Sequence, residues 1–345
     1  MVISKNALEK YGDNISKNPV GTGPFFLNHW EDDKLISLRT FPDYREKGNI
    51  DVIKFIMPDS SQQAEVLFKN GKLDIVYMVA SDWLDRLKWT GMVDYLVQKP
   101  LGTIFVGFNL NNDPVNKKSI RDAVRYALET EKSVFITNRG NAISANGPLP
   151  PVYNGFDDMV QTKFNPILAN KLLRDMGYNK GLSLNFYVWE KTISRHTRIE
   201  IIESQLEKVG ITLKSTLYKN WDDFTSAVSS KECHLFLGGY SSELIGDPGN
   251  FLYSLFHSNS TYNLFNYKNE NVNQLLDQAF REANQKRRHE MYREVVKIVL
   301  EYTPAVFDSH VKSHYAYNSK KIKSLVVNPY EYIYFHRLET YDYSF

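Results

Sequence analysis

NPVGTGPFF, residues 18–26, decides how this sequence is read. Two glycines and two prolines in nine residues describe a shaped turn and exclude a helix or a regular strand. An extended run starts at residues 27–30. FVGFNLNN follows at residues 105–112, and GGYSSELIGDPGNFLYSLF at residues 238–256. Between and beyond these three segments the pattern alternates between strand and helix.

LISLRTF (35–41) alternates apolar and polar residues, as a half-buried strand does, and DVIKFIM (51–57) is another strand, closed by Pro58. Ser60 or Ser61 caps a helix whose Ala64, Leu67 and Phe68 make an apolar stripe and which Gly71 stops. LDIVYMV (73–79) then reads as a buried strand, and TIFVGFNLNN (103–112) as a strand ending in polar residues. Ile120, Ala123, Val124 and Ala127 recur at helical spacing within a helix of about 118–130. ANGPLPPVYNGF (145–156) is a proline-rich loop. A helix after Pro166 stops at Gly177, and LSLNFYVW (182–189) is a strand with Leu182, Leu184, Phe186 and Val188 on one face. A long helix from Arg198, a stop at Gly210 and a strand follow. DDFTSAV starts a helix, ECHLFLGGYS is a buried strand, and residues 272–304 hold two helices. This alternation predicts α/β layers with mixed sheets, and 345 residues suggest about two domains.

The composition narrows the function. A net charge of +2 is too mild to argue for nucleic acid, and KKIK (320–323) and KRR (286–288) read as solvated faces. The 42% hydrophobic fraction supplies a sizeable core. The 14% aromatic share suits a cleft that grips a ligand, although most rings belong in a core. Cys233 is alone, so no intrachain disulfide forms, and in its strand it acts as a small hydrophobe. No run approaches the ~20 apolar residues of a membrane span. MVISKNALEKYG lacks the apolar region of a signal peptide, and no N-terminal cysteine is available for lipid modification.

Enzyme signatures are missing. G-x-S-x-G and the Walker pattern do not occur, and GTGPFF has Phe26 where the third glycine of a dinucleotide turn would stand. His310-x3-His314 has metal-like spacing, but in an extended segment residues four apart lie about 13 Å from one another. Two solvent or hinge histidines are the expectation, with no metal and no cofactor.

Taken in order, NPVGTGPFF, FVGFNLNN and GGYSSELIGDPGNFLYSLF resemble the large solute-binding proteins of peptide- and nickel-type ABC transporters, the extracellular solute-binding family 5. The helix, turn and strand around Asp74 resemble that family's "gklDi" unit. Arg121, Ala123, Tyr126 and Ala127 match its "pF.d.rvRqAlsyAidr" helix, with Val115 in place of the usual Phe. The proline-rich loop and FNPILANKLLRDMGY match its "gp.pp" connection and its "yDpekAkkLLaeaGy" helix. The resemblance covers about residues 17–327. It implies an α/β, two-lobed, periplasmic-binding-protein-like fold of type II with mixed sheets. A segment precedes the NPVGTGP turn in that family, and seventeen residues precede it here. The expectation is therefore the C-terminal two-thirds of such a protein, with the N-terminal part of the first lobe absent and an exposed sheet edge or apolar surface near residues 20–30. The first lobe is expected from residues 1–106 and 309–345 and the second from 107–308, joined by two crossovers.

The same resemblance implies the site. In peptide-binding members an acid after the strand matching HLFLGGY pairs with the ligand's α-amino group, and a buried ammonium does need a carboxylate. Glu243 lies near that position, as a ligand anchor or as an exposed loop charge. Asp247 is the other acid of the loop, and before Pro248 it also reads as a turn residue capping the next helix. Gly239, Tyr240 and Ser241 correspond to a backbone strip on which a peptide pairs as an added strand. Trp189 stands where a dipeptide-type relative has an arginine for the ligand carboxylate, with Lys191 or Arg195 as substitutes; alternatively it ends its strand and packs on the core. Asn109 contacts ligand or stabilises the crossover. The implied function is the substrate-binding component of an ABC transporter for oligopeptides or dipeptides, binding between the lobes and presenting ligand to membrane permease subunits. It would be a periplasmic or extracytoplasmic lipoprotein in its full-length form, without catalysis. A ligand-sensing domain of a transcription regulator is the alternative.

Overall fold

The computed structural model describes residues 3–77, 83, 86, 93–161, 163–189, 193–242, 247–328 and 331–341. The chain divides into two compact units, Met1–Gln98 with Ser313–Phe345, and Lys99–Lys312. The sequence had placed these divisions at 106/107 and 308/309.

The first unit starts with a helix that hydrophobic spacing did not announce, α1 (Lys5–Tyr11), capped by the Ser4 hydroxyl. The NPVGTGP turn is tied at both ends: Ser4 N donates to Val20 O at 2.9 Å, and Phe41 N to Pro24 O at 2.8 Å. It feeds β1 (Phe25–Glu31), which pairs antiparallel with β2 (Leu35–Thr40), which pairs in turn with β3 (Val52–Ile56). Phe26, Phe55 and Ile56 on this small sheet are 43%, 40% and 40% exposed. Ser60 caps α2 (Ser61–Lys69) by accepting from Gln63 N, and Gly71 follows with φ 67°. β4 (Ile75–Tyr77) is short and only half-buried, so the expectation of a buried strand over 73–79 is corrected; Met78 and Val79 lie outside the described residues. β5 (Val93–Gln98) ends this first pass.

The second unit is built on a six-stranded sheet. β6 (Gly102–Phe108) leads to α3 (Lys118–Ala127) and α4 (Thr130–Asn138). Leu128 is extended, so the single helix expected to about residue 130 ends early and a second one follows. β7 (Ala142–Ser144) precedes α5 (Pro166–Asp175), whose Asn165 cap and first-turn proline are the usual start signals. β8 (Leu182–Trp189), α6 (Ile193–Glu207) and β9 (Ile211–Tyr218) form a parallel crossover unit. Then come α7 (Trp221–Val228), β10 (Leu235–Ser241), α8 (Gly249–Phe256), α9 (Glu270–Arg281), α10 (Gln285–Tyr302) and β11 (Ala305–Val311). The strand order is β7-β11-β6-β10-β8-β9. β6 and β11 lie side by side and antiparallel, with Phe105 opposite Phe307.

Both faces of this sheet are covered. Val106, Phe108, Leu184, Phe186 and Leu237 pack in one core with residues of α3, α5 and α6. Phe105, Tyr187, Phe236 and Phe307 pack in the other with residues of α7 to α10. The chain then returns to the first unit. β12 (Ser313–Asn318) lies between β4 and β5 and pairs antiparallel with both, and β13 (Ile322–Ser324) pairs with β14 (Glu339–Thr340).

Candidate functional site

β10 pairs with β6 over its whole length, from Leu235 opposite Phe108 to Ser241 opposite Gly102. Its other edge meets β8 only from Leu235 to Leu237, opposite Phe186 to Val188. In an antiparallel pair, alternate residues turn both main-chain groups toward the partner. Asn109 N donates to His234 O at 3.0 Å, and Ser242 N to Leu101 O at 3.4 Å. Both bonds assign the even-numbered residues of this strand to β6. Leu235, Leu237, Gly239 and Ser241 therefore direct N–H and C=O to the other edge. Among the described residues no strand pairs with that edge at Gly239 or Ser241, and both residues are exposed.

A cavity of about 280 Å³ opens beside this edge. Its floor is the sheet face carrying Phe105, Phe236 and Gly238, and Phe265 lies over the floor with its ring centre 5.1 Å from that of Phe105 and 5.5 Å from that of Phe236. α7 supplies Trp221, Phe224 and Thr225, and the segment after α8 supplies Thr261, Tyr262 and Leu264. Glycine is required at Gly238, where a Cβ would stand 2.6 Å from Phe105 Cε2. At Gly239 a Cβ would meet nothing nearer than Thr103 O at 3.4 Å. Core packing thus demands glycine at Gly238 and leaves the space above Gly239 open.

Tyr240 lines the cavity, donates its hydroxyl to Ser254 Oγ at 2.8 Å, and sets its ring edge-on to Phe251 and Tyr262. Trp189 ends β8 and meets Trp221 with ring centres 4.8 Å apart, so it buttresses the cavity wall. Asn109 is removed from the candidate site. It is buried, its Nδ2 donates to Val228 O and Ser230 O, and its Oδ1 accepts from Asn266 Nδ2 and Asn111 N. No capacity remains for a ligand. Asp247 is also engaged within the protein: Oδ1 accepts from Gly249 N at 2.8 Å and Oδ2 from Arg288 Nε at 2.6 Å. It shapes the start of α8 and ties it to α10. Arg288 is thereby only half-buried and paired, which corrects the reading of KRR as a wholly solvated face. Glu243, Lys191 and the Arg195 side chain lie outside the described residues.

His310 and His314 are 3% and 4% exposed, so neither faces solvent. His310 Nδ1 lies 3.0 Å from Thr103 Oγ1, and burial pushes its pKa down to about 4. Among the described residues no three His, Cys, Asp or Glu side chains come together as metal donors. Burial pushes the Cys233 thiol up to about 12, which keeps it inert. Sequence reasoning missed Trp221 and Tyr262. One available signal was Trp221 itself, which follows the Asn220 cap directly, where a large apolar ring has no core to enter and remains 41% exposed.

Among the described residues no helix is long and apolar enough to cross a membrane. The profile of the bacterial extracellular solute-binding proteins, family 5 Middle, matches residues 2–263. The dipeptide-binding protein of Escherichia coli K12 is 26% identical over 340 residues, which is 94% of this chain and 62% of that protein. Heme-binding protein A of Haemophilus influenzae is 26% identical over 331 residues, 93% of this chain and 59% of that protein. The chain thus spans less than two thirds of these relatives. Among solved structures, the periplasmic binding protein DppA of Helicobacter pylori in complex with peptide STSA aligns with a TM-score of 0.82 at 22% identity, over 97% of this chain and 66% of that one. The ABC transporter substrate-binding protein CtaP of Listeria monocytogenes aligns with a TM-score of 0.86 at 22% identity, over 98% and 71%. These likenesses establish the fold as the mixed-sheet α/β type II class of periplasmic binding proteins. The matched profile covers most of the sequence, and this chain belongs to the bacterial extracellular solute-binding proteins of family 5.

Proposed function

We propose that this chain binds a peptide in extended conformation, as an added strand along the open edge of β10, and serves as the substrate-binding component of an ABC transporter. The observation that carries the reading is that, among the described residues, the pairing of β10 with β8 stops at Leu237 and no strand partners the main-chain groups of Gly239 and Ser241 along an exposed edge. Strand addition draws affinity from main-chain hydrogen bonds and leaves side chains to be sorted by neighbouring pockets. Glu243 is proposed to accept the ligand's amino group. Delivery to membrane permease subunits and an extracytoplasmic location follow from the same reading, which the names of the relatives support. The chain is assigned binding, not catalysis.

Calorimetry with trialanine and with its backbone N-methylated analogues tests this. Removing the N–H that meets β10 is expected to weaken binding by about 1 kcal/mol per lost bond. Equal affinity for all analogues would overturn strand addition.

A further inference from the structure

We infer that the cavity beside Gly238 is the specificity pocket of this chain and takes one large uncharged side chain, aromatic or branched aliphatic, of the bound peptide. The inference rests on the peptide reading above and adds the class of peptide.

The argument starts from the alternation of the sheet. Neighbouring residues across a strand pair project to the same face, and successive residues to opposite faces. A ligand strand bonded at Gly239 and Ser241 places the residue beside Gly238 or Tyr240 on the face where Phe105 and Phe236 lie, whichever way the ligand runs. That face is the floor of the cavity. Gly238 contributes no side chain there, and the Phe105 and Phe236 rings occupy the space a Cβ would need. The floor beneath such a ligand side chain is therefore aromatic. Trp221 and Tyr262 stand at the cavity with 41% and 58% of their surface exposed, while Phe236 and Phe265 are buried. Among the described residues the lining contains no Asp, Glu, Lys, Arg or His.

Size and charge then select the occupant. Pockets for drug-sized ligands run from about 300 to 1,000 Å³. At about 280 Å³ the cavity has room for one large side chain. A lysine or aspartate side chain inside it would lose water and gain no counter-charge, which is unfavourable. A phenylalanine or leucine side chain would exchange water for contacts with the aromatic rings of the lining.

The test is calorimetry of the chain with alanine tripeptides carrying Phe, Leu, Lys or Asp at the first, second or third position, with trialanine as reference. At one position Phe and Leu are expected to bind about ten- to a hundredfold tighter than Ala, the range for burying such a side chain, and Lys and Asp no better than Ala. Thr225→Glu places a carboxylate in the wall. It is expected to abolish the Phe preference and to favour Lys at that same position, a reversal that a general loss of structure would not produce. Thr261→Trp, which fills the cavity from an exposed position, is expected to remove the preference for Phe and Leu. Equal affinities for all tripeptides at every position, with binding retained, would overturn the pocket and leave the peptide reading standing. No binding by any tripeptide would overturn both. A side-chain preference that persists in Thr225→Glu and Thr261→Trp would place the specificity elsewhere and overturn the inference.

Discussion

Arg121 and Tyr302 are joined twice: Arg121 Nη2 donates to Tyr302 O at 2.8 Å, and the guanidinium carbon lies 4.7 Å from the centre of the Tyr302 ring. Arg121 also donates to Thr303 O, Val115 O and Asn116 O while 1% exposed. A helix end leaves its last carbonyls without intrahelical partners, and here one planar fork from α3 satisfies two of them at the end of α10.

Arg121→Ala would strand these carbonyls out of water. The expected loss is about 3 kcal/mol or more, read as a lower denaturant midpoint. Arg121→Lys is expected to recover only part of it, because an ammonium cannot span the same fork.

His310 sets a pH dependence. Its folded pKa is about 4 against an ordinary 6.5, with desolvation as the largest cause. Between those values the unfolded chain binds more protons than the folded one, so stability falls as pH drops from about 6.5 and levels off below about 4. The whole effect is roughly 3 kcal/mol. In His310→Gln the slope of unfolding free energy against pH in this window is expected to flatten, as followed by denaturant titration at a series of pH values.

Asp247 and Glu243 lie four residues apart in the sequence and are assigned different work. Asp247→Asn removes the charge that faces Arg288, and a stability loss of about 1 kcal/mol is expected with little change in peptide affinity.

Glu243→Gln is expected to do the reverse. Peptide binding should weaken by about 1.5–3 kcal/mol for ligands with a free amino terminus and hardly at all for acetylated ones. Identical calorimetric affinities for free and acetylated peptides, unchanged by the substitution, would remove Glu243 from the site.

Much of the second unit was legible because its signals are local. LSLNFYVW forms the strand Leu182–Trp189, and Asn165, Pro166 and Gly177 bracket a helix as their chemistry dictates. β10 was equally readable, since the apolar run HLFL is short and closes on two glycines, as a buried strand does. Its open edge was not, because where β8 ceases to pair depends on a strand nearly fifty residues away. The cavity was hidden for the same reason: Phe105, Trp221, Phe236 and Phe265 meet only through the tertiary fold. Asn109 stayed open between two readings because a polar residue at a strand end looks the same whether it faces ligand or, as here, binds carbonyls at and just beyond the end of α7. In the first unit β4 read as buried from its composition, yet burial belongs to the partner layer, not to the strand's own residues.

β12 is the central strand between β4 and β5, and it arrives from the far end of the chain. Lys99 to Lys312, a run of 214 residues (312 − 98), must leave the ribosome before it does. At about 5–20 residues per second that is a wait of about 10–40 s. During it the two flanking strands have no middle, whereas the second unit has every strand of its sheet by the time β11 appears. The order of birth therefore favours completion of the inserted unit first, and leaves the outer one to gain its central strand last.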